Sequence, residues 1–271
     1  MIRQVREHGD RAPAMPPDLD RSMVIGQAMR QAFARDGHVL VRGLLTPAEA
    51  AAYRVVASEA RRRGGPVGMW RWSPAMARFV QASLFGQVAA DLMDADGMRL
   101  YHDMAFWKRP GEGPTPWHQD CAYLPLPGDS FITMWMPLAS LPDETGGLSF
   151  ATGSHRGGCL PDVAPGESDP SQQADRPLQG GRWPNHAYRD LRPGDATFHI
   201  GSILHAGPGN PSRSIVREVI TVIYFVDGTR ALPPRRRQHQ AEFREWLPGV
   251  APGELAVSPL TPLVFSRAGG G

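Results

Sequence analysis

Cysteine is scarce in this chain, and long hydrophobic runs are missing. Two cysteines among 271 residues, Cys121 and Cys159, are too few for a disulfide framework. We therefore expect a reducing compartment, a cytoplasmic protein and the role of a small buried hydrophobic residue for Cys121. No apolar segment approaches the length of a membrane helix, and the charged N-terminal stretch lacks the apolar core of a signal peptide. The sequence thus predicts no membrane association.

An excess of charge of either sign is missing as well. The 29 basic and 27 acidic residues give a net charge of +2, which provides no general basis for binding nucleic acid. The short arginine runs at 61–63 and 235–237 lack interleaved aromatic residues and are expected to be solvated surface. The expected partner is a small-molecule substrate, and either a monomer or a homodimer is compatible with the sequence.

Glycine and proline, in contrast, are abundant, with 30 and 27 residues. They form turn dipeptides between short apolar runs, which favours a β core with many loops. Strands are predicted at 38–41, 98–108, 131–138, 196–200 and 217–226, the last being the richest in β-branched and aromatic residues. In the first of the long strands, Leu100, His102 and Met104 are expected to share one face.

Helical patterns precede and follow this core. Apolar residues recur at helical spacing from Val24 to Phe33, and Thr46, Pro47 and Glu49 form a capping box that begins a helix ending near residue 63. Further helices are predicted at 87–94 and 238–246. The segment 157–189 is polar and irregular, as expected of a lid. We predict a single domain over 1–271, with a helical front end at 1–97, a β core at 98–227 and a C-terminal extension at 228–271.

A candidate metal-binding pair lies within Trp117-His118-Gln119-Asp120. On a strand, His118 and Asp120 would point to the same face and could bind one metal ion. Two imidazoles and a carboxylate form the facial triad of non-haem Fe(II) oxygenases, and His205 offers the second imidazole. A similar pair, His8 and Asp10, has no strand pattern around it and is interpreted as solvated surface.

These residues belong to an ordered series of blocks that resembles the phytanoyl-CoA dioxygenase family of Fe(II)/2-oxoglutarate oxygenases. The likeness extends from Met104 to Phe225. It rests on MAFWKRP at 104–110, WHQD at 117–120, Trp135, DETGGLSF at 143–150, GSH at 153–155, PGD at 193–195 and the stretch from 205 to 217. The resemblance implies a mainly β fold with helical support, a double-stranded β-helix (a cupin-like jelly roll) with N-terminal helices.

The resemblance also implies an iron site. It assigns His118, Asp120 and His205 as the iron ligands, and therefore as the catalytic centre. Only one of His199 and His205 can be the second histidine ligand. The turn after His205 and Asn210, which matches the family pattern, favour His205. Because Asp120 is present, halogenation is not expected.

Further residues are implied as contacts of the cosubstrate. Met104, Gln119 and Trp135 correspond to positions that contact 2-oxoglutarate in the family. Arg217 is expected to bind the distal carboxylate, with Arg213 as the competing candidate. Where family members commonly carry a serine, this chain has Gly207, so a hydroxyl contact to the cosubstrate is expected to be missing.

The predicted function is oxidation of an unactivated C–H bond of a small molecule with Fe(II), 2-oxoglutarate and O₂. Hydroxylation in natural-product metabolism is the leading outcome, with cyclisation, desaturation and epimerisation as variants. The alternatives are a metal-dependent hydrolase on a jelly-roll fold and a non-catalytic jelly-roll ligand-binding protein.

The roles of two other residues stay open. His102 is either a pocket residue or a core residue, and Lys108 either binds an acidic group of the substrate or lies at the surface at a strand end. His155 is expected to be structural.

Overall fold

A computed structural model of the chain describes residues 16–141, 146–159 and 182–269. The pair His8 and Asp10, the start of the 143–150 block and most of the predicted lid lie outside these residues. The helices are α1 (Gln27–Asp36), α2 (Pro47–Gly64), α3 (Pro74–Val80), α4 (Ser83–Met93) and α5 (Arg237–Trp246). The strands are β1 (His38–Val41), β2 (Gly97–Lys108), β3 (Thr115–His118), β4 (Phe131–Pro137), β5 (Ser149–Ala151), β6 (Asn185–Ala187), β7 (Ala196–Ile200), β8 (His205–Gly207), β9 (Arg217–Val226) and β10 (Leu263–Ser266).

The strands form two antiparallel sheets. The larger has the order β1-β7-β4-β9-β2-β10, and the smaller has the order β3-β8-β5-β6. From β2 to β5, and again from β6 to β9, successive strands of the chain alternate between the sheets, as in a jelly roll. The predicted β fold with helical support is confirmed, whereas the domain boundaries stay a prediction.

Successive side chains of the central strands face alternately the hydrophobic core and the site. On β4, Met134 and Met136 lie in the hydrophobic cluster shared with the helices, as does Val222 of β9. Their neighbours Thr133 and Trp135 face the opposite side and line a cavity between the sheets. Because successive side chains of a strand point to opposite faces, one apolar strand serves both the helical layer and the site.

Helices α1 to α4 cover the outer face of the larger sheet, whereas α5 contributes residues to the cavity lining. The capping box predicted for α2 is present: Glu49 N donates to Thr46 Oγ1 over 3.2 Å, and Thr46 N donates to Glu49 Oε2 over 2.8 Å. Two predicted starts are wrong. Helix α1 begins at Gln27, and Val24 before it is 89% exposed. Helix α4 begins at Ser83, four residues before the predicted start.

The predicted face of β2 is interrupted by a bulge. The register pairs Leu100 with Tyr224 and then His102 with Ile223, so Tyr101 is the extra residue. Leu100 consequently packs with the helices, whereas His102 lines the cavity. Placing Leu100 and His102 on one face was therefore wrong, because a bulge shifts the phase of the alternation.

The cysteine prediction is also corrected. Cys121 and Cys159 form a disulfide, with a Cα–Cα distance of 6.2 Å, so Cys121 is not a free buried thiol. The side chain of Gln119 explains their approach, because its amide donates to the carbonyl of Gly158 over 2.8 Å and so holds the two segments together. That contact joins residues far apart in sequence and leaves no local pattern.

The C-terminal part of the described chain returns to the larger sheet. Helix α5 confirms the predicted 238–246 helix, and β10, which was not predicted, pairs with β2 at the sheet edge. Strand β6 lies within the segment 157–189, which was expected to be irregular throughout. Among the described helices, none has the length and apolar character needed to cross a bilayer.

Candidate metal centre

The first two candidate ligands lie where β3 ends. His118 is the last residue of β3, and Asp120 begins a short 3-10 turn, Asp120–Ala122, so the prediction that Asp120 lies on the strand is wrong. The intervening Gln119 keeps an extended backbone, with φ −120° and ψ 136°. This single extended residue places both side chains on one side of the chain, which is the geometry that the i, i+2 spacing required.

The third candidate ligand lies directly across the smaller sheet. His205 begins β8 and is paired in register with His118. Asp120 Oδ1 lies 3.6 Å from His118 Nε2 and 3.7 Å from His205 Nε2. The potential ligand atoms of the three residues all lie within 4.8 Å of one another, close enough to bind one ion.

Backbone carbonyls fix the orientation of both imidazoles. His118 Nδ1 lies 2.8 Å from the carbonyl of Pro116, and His205 Nδ1 lies 3.2 Å from that of Ile203. Each Nδ1 donates its proton to its carbonyl, so each Nε2 keeps the lone pair that a metal requires. Burial lowers the pKa of His205 well below its usual value, with His118 and His199 adding to the shift, so this imidazole is neutral.

The second oxygen of Asp120 is held by the protein. Thr133 Oγ1 donates to Oδ2 over 2.7 Å, and His199 Nε2 lies 3.4 Å from the same oxygen. Burial alone would raise the pKa of Asp120, but His205 and His199 outweigh it and keep the pKa well below its usual range. Asp120 is therefore an anion whose free oxygen, Oδ1, faces the two Nε2 atoms.

Two cations occupy the end of the cavity formed where β2 ends and β9 begins. Arg217 and Lys108 are paired in register, and both donate to the carbonyl of Pro208, over 2.9 Å and 3.1 Å. Burial lowers the pKa of Arg217 to about 10 and that of Lys108 to about 8, the latter helped by Arg217. Arg213 is exposed and lies outside the cavity lining.

Arg217 has the features of a binding group that lacks its ligand. It is 3% exposed, and its Nε has no hydrogen-bond partner. No carboxylate among the described residues forms an ion pair with it. A buried guanidinium without a counter-ion is costly, and its planar donors match a carboxylate.

The other predicted cosubstrate contacts divide into two groups. Met104, Trp135 and Gly207 line the cavity, whose volume is about 420 Å³, together with the three candidate ligands. Gln119 does not line it, because its buried side chain donates to the carbonyls of Gly158 and Ser202.

The remaining histidine and lysine predictions can also be placed. His102 and Lys108 line the cavity, while His155 Nε2 lies 3.2 Å from the carbonyl of Ala34 in α1 and is not part of the cavity lining. Sequence reasoning missed Thr133 and Glu242, both of which line the cavity. Glu242 left a signal, since Gln238, Glu242 and Trp246 recur every four residues and so share one face of α5.

The sequence profile of the phytanoyl-CoA dioxygenase family (PhyH) matches residues 58–219, more than half of the chain. The chain belongs to this family. The match confirms the resemblance and, with it, the prediction of an enzyme of the iron- and 2-oxoglutarate-dependent dioxygenase class. The predicted metal ligands His118, Asp120 and His205 fall inside the matched range. Arg217 also falls inside it, two residues before its end.

Individual relatives are similar over part or most of the chain. A probable alpha-ketoglutarate-dependent hypophosphite dioxygenase of Stutzerimonas stutzeri is 32% identical over 62 residues, which is 23% of this chain and 22% of that protein. The matched part of this chain therefore spans about a fifth of the length of that curated relative.

Solved structures share the fold. The carbocyclase SnoK from nogalamycin biosynthesis is 23% identical, with a TM-score of 0.71 over 88% of this chain and 96% of that one. The epimerase SnoN, in complex with Fe³⁺, alpha ketoglutarate and nogalamycin RO, is 23% identical, with a TM-score of 0.73 over 88% and 97%. EctD from S. alaskensis, with 2-oxoglutarate and 5-hydroxyectoine, is 18% identical, with a TM-score of 0.63 over 82% and 88%. At these identities the likeness establishes the fold.

Proposed function

We propose that this protein uses Fe(II), 2-oxoglutarate and O₂ to oxidise an unactivated C–H bond of a small molecule in natural-product metabolism. The observation that carries this proposal is the buried, unpaired guanidinium of Arg217 in the same cavity as the His-Asp-His cluster. Metal-dependent hydrolysis does not require such a cation, whereas a dicarboxylate cosubstrate needs one to bind its distal carboxylate.

The residues present fit both groups. His118, Asp120 and His205 would hold the iron, since two neutral imidazoles and one carboxylate are the donor set of non-haem iron oxygenases. When bound, the iron supplies the activation of O₂ that is coupled to decarboxylation of the keto acid to succinate. The fit does not depend on Gln119, whose side chain is engaged elsewhere.

The residues of the chain orient the metal ligands and supply positive charge for binding the keto acid. The Pro116 and Ile203 carbonyls keep the imidazole lone pairs directed at one point, and Thr133 restrains the carboxylate so that Oδ1 remains available. Arg217, with Lys108 beside it, would bind the distal carboxylate and so fix the orientation of the keto acid. The apolar wall of the cavity excludes water from the reacting atoms.

The type of oxidation depends on the substrate's position. SnoK and SnoN, which share this fold, are a carbocyclase and an epimerase, so hydroxylation is one of several outcomes available to such a site. We propose hydroxylation for this chain, with a monomeric or homodimeric state. The cytoplasmic location expected from the scarcity of cysteine loses that support, because Cys121 and Cys159 form a disulfide.

Anaerobic addition of Fe(II) and 2-oxoglutarate to the metal-free protein tests the proposal. Chelation of the keto acid to iron at the triad should produce a visible charge-transfer band, and exposure to O₂ should then yield succinate. H205A should abolish the band because it removes one of the three donors, whereas H155A, which alters a histidine outside the cavity, should retain it. A protein that gives neither band nor succinate is not a 2-oxoglutarate oxygenase.

A further inference from the structure

The cavity has two ends of opposite charge. His102, Met104, Phe106 and Lys108 line it along β2, and the six steps along the strand from His102 to Lys108 span about 20 Å at a rise of about 3.3 Å per residue. Lys108 and Arg217 form the cationic end, which the distal carboxylate of the cosubstrate accounts for. The opposite end, near His102, includes Glu242 of α5.

The acidic end is next to the candidate metal centre. The register places His102 opposite Ile223, and Ile223 opposite Thr133, in one row across the larger sheet. Thr133 donates to Asp120, so this row is level with the metal ligands. A molecule bound between His102 and Glu242 would therefore lie beside the reacting centre.

Glu242 is built into this end. Its Oε2 accepts from the Tyr101 hydroxyl over 3.1 Å, and its Oε1 accepts from Gln238 Nε2 over 3.0 Å. Trp246, one turn further along α5, packs against His102 with a ring-centroid distance of 5.1 Å. The β2 bulge at Tyr101 and the four-residue spacing on α5 together direct this carboxyl into the cavity.

The carboxyl has no cationic partner. No lysine, arginine or histidine among the described residues forms an ion pair with Glu242, and burial raises its pKa to about 7. On the same side of the cavity, His102 Nδ1 is buried without a hydrogen-bond partner. A half-buried carboxyl that lacks a counter-charge is costly unless a ligand supplies one.

We propose that Glu242, with Gln238 beside it, is the recognition group for the primary substrate and binds a protonated amine. Leu124 and Ile223 line the same cavity, so the amine is carried on an apolar body. This inference rests on the proposed function, because it assigns to the oxygenase site the substrate class of organic amines.

Binding of a matched pair of probes tests the assignment. Cyclohexylamine and cyclohexanol have similar size and differ in charge, and their affinities for the anaerobic protein loaded with Fe(II) and 2-oxoglutarate can be measured from paramagnetic broadening of their proton resonances. The wild type should bind the amine at least tenfold more tightly than the alcohol. E242Q should reduce the difference to less than twofold.

Two further variants separate recognition from structure. E245Q removes the same charge from the same helix outside the cavity lining and should keep the preference for the amine. Y101F removes the hydrogen bond to Glu242 but keeps the carboxylate, so it should also keep the preference. If Y101F loses the preference as fully as E242Q does, the role of Glu242 is structural.

Failure of the amine subsite and failure of the proposed function give different results. Every variant is first scored for the charge-transfer band of the Fe(II)–keto acid complex. A wild type that forms the band but binds amine and alcohol equally overturns the amine subsite alone. Equally, an E242Q variant that keeps the preference overturns it, whereas absence of the band in the wild type overturns the oxygenase.

Discussion

Replacement of Arg217 by methionine should separate cosubstrate binding from folding. Methionine keeps much of the apolar volume of the arginine stem but removes the guanidinium. In the protein without ligands, Arg217 makes one hydrogen bond, to Pro208 O over 2.9 Å, and its charge has no carboxylate partner among the described residues. Loss of one hydrogen bond and relief of an unpaired buried charge are opposing effects of similar size, so the free energy of unfolding should change by less than about 1 kcal/mol.

The cosubstrate should respond far more strongly. A bidentate contact of a guanidinium with a carboxylate consists of two charge-assisted hydrogen bonds, and its loss should cost about 3 kcal/mol, or about 100-fold in Kd. Lys108 remains beside the site and should prevent complete loss of binding. Titration of 2-oxoglutarate into the anaerobic Fe(II) protein, followed by the charge-transfer band, measures this Kd.

R213M is the matched control. Arg213 is four residues away, exposed and outside the cavity lining, so its replacement should change the Kd by less than about twofold, as expected for surface sites within about 0.5 kcal/mol. If R213M weakens 2-oxoglutarate binding and R217M does not, the assignment of the anchor is wrong. If neither does, the distal carboxylate is bound elsewhere.

Four other changes have definite expected outcomes. T133V should weaken Fe(II) binding by about 10- to 100-fold in a metal titration, because the carboxylate ligand loses its orienting donor; unchanged affinity would contradict this. G207S should lower the Kd of 2-oxoglutarate by about tenfold if the added hydroxyl contacts it, since a Cβ at Gly207 meets its nearest atom at an ordinary 3.4 Å. Burial raises the pKa of Asp103 to about 7, so wild-type stability should fall on the order of 4 kcal/mol more than that of D103N as pH rises from about 4 to about 7, where the unfolded carboxyl is ionised and the folded one is not; parallel pH curves of the two proteins would refute this. Replacing Cys121 and Cys159 by serine should lower the free energy of unfolding by about 4 kcal/mol, as the chain-entropy relation gives for a 38-residue separation, and mass spectrometry of the unreduced protein should detect the crosslink.

Five of the six strands of the larger sheet, all except β10, were predictable because they carry local patterns. β9 is continuous in β-branched and aromatic residues, and α2 follows a capping box. The smaller sheet was not predictable, since β5, β6 and β8 have three residues each and their pairing depends on tertiary contacts. Short strands give too few positions for a period to be recognised.

The candidate site divides in the same way. The three ligand positions could be predicted because their motif and order carry the information, and the structure brings them together. The contacts around them could not, because each depends on tertiary pairing: Thr133 contacts Asp120 across 13 residues, Glu242 comes from the C-terminal helix, and Cys121, although next to the motif, pairs with Cys159 at a separation of 38 residues. The bulge at Tyr101 likewise has no marker such as glycine or proline, and it reverses the expected face of the preceding residue.

The charges of the cavity imply that its two small ligands bind as a coupled pair. Its lining contains two acidic and two basic side chains, Asp120, Glu242, Lys108 and Arg217, so apart from its histidines its formal charge is zero. A divalent cation and a dianionic keto acid also sum to zero, and together they preserve this balance. Either one alone leaves uncompensated charge in a region of low dielectric constant. Metal and cosubstrate should therefore raise each other's affinity by the same factor, as thermodynamic linkage requires.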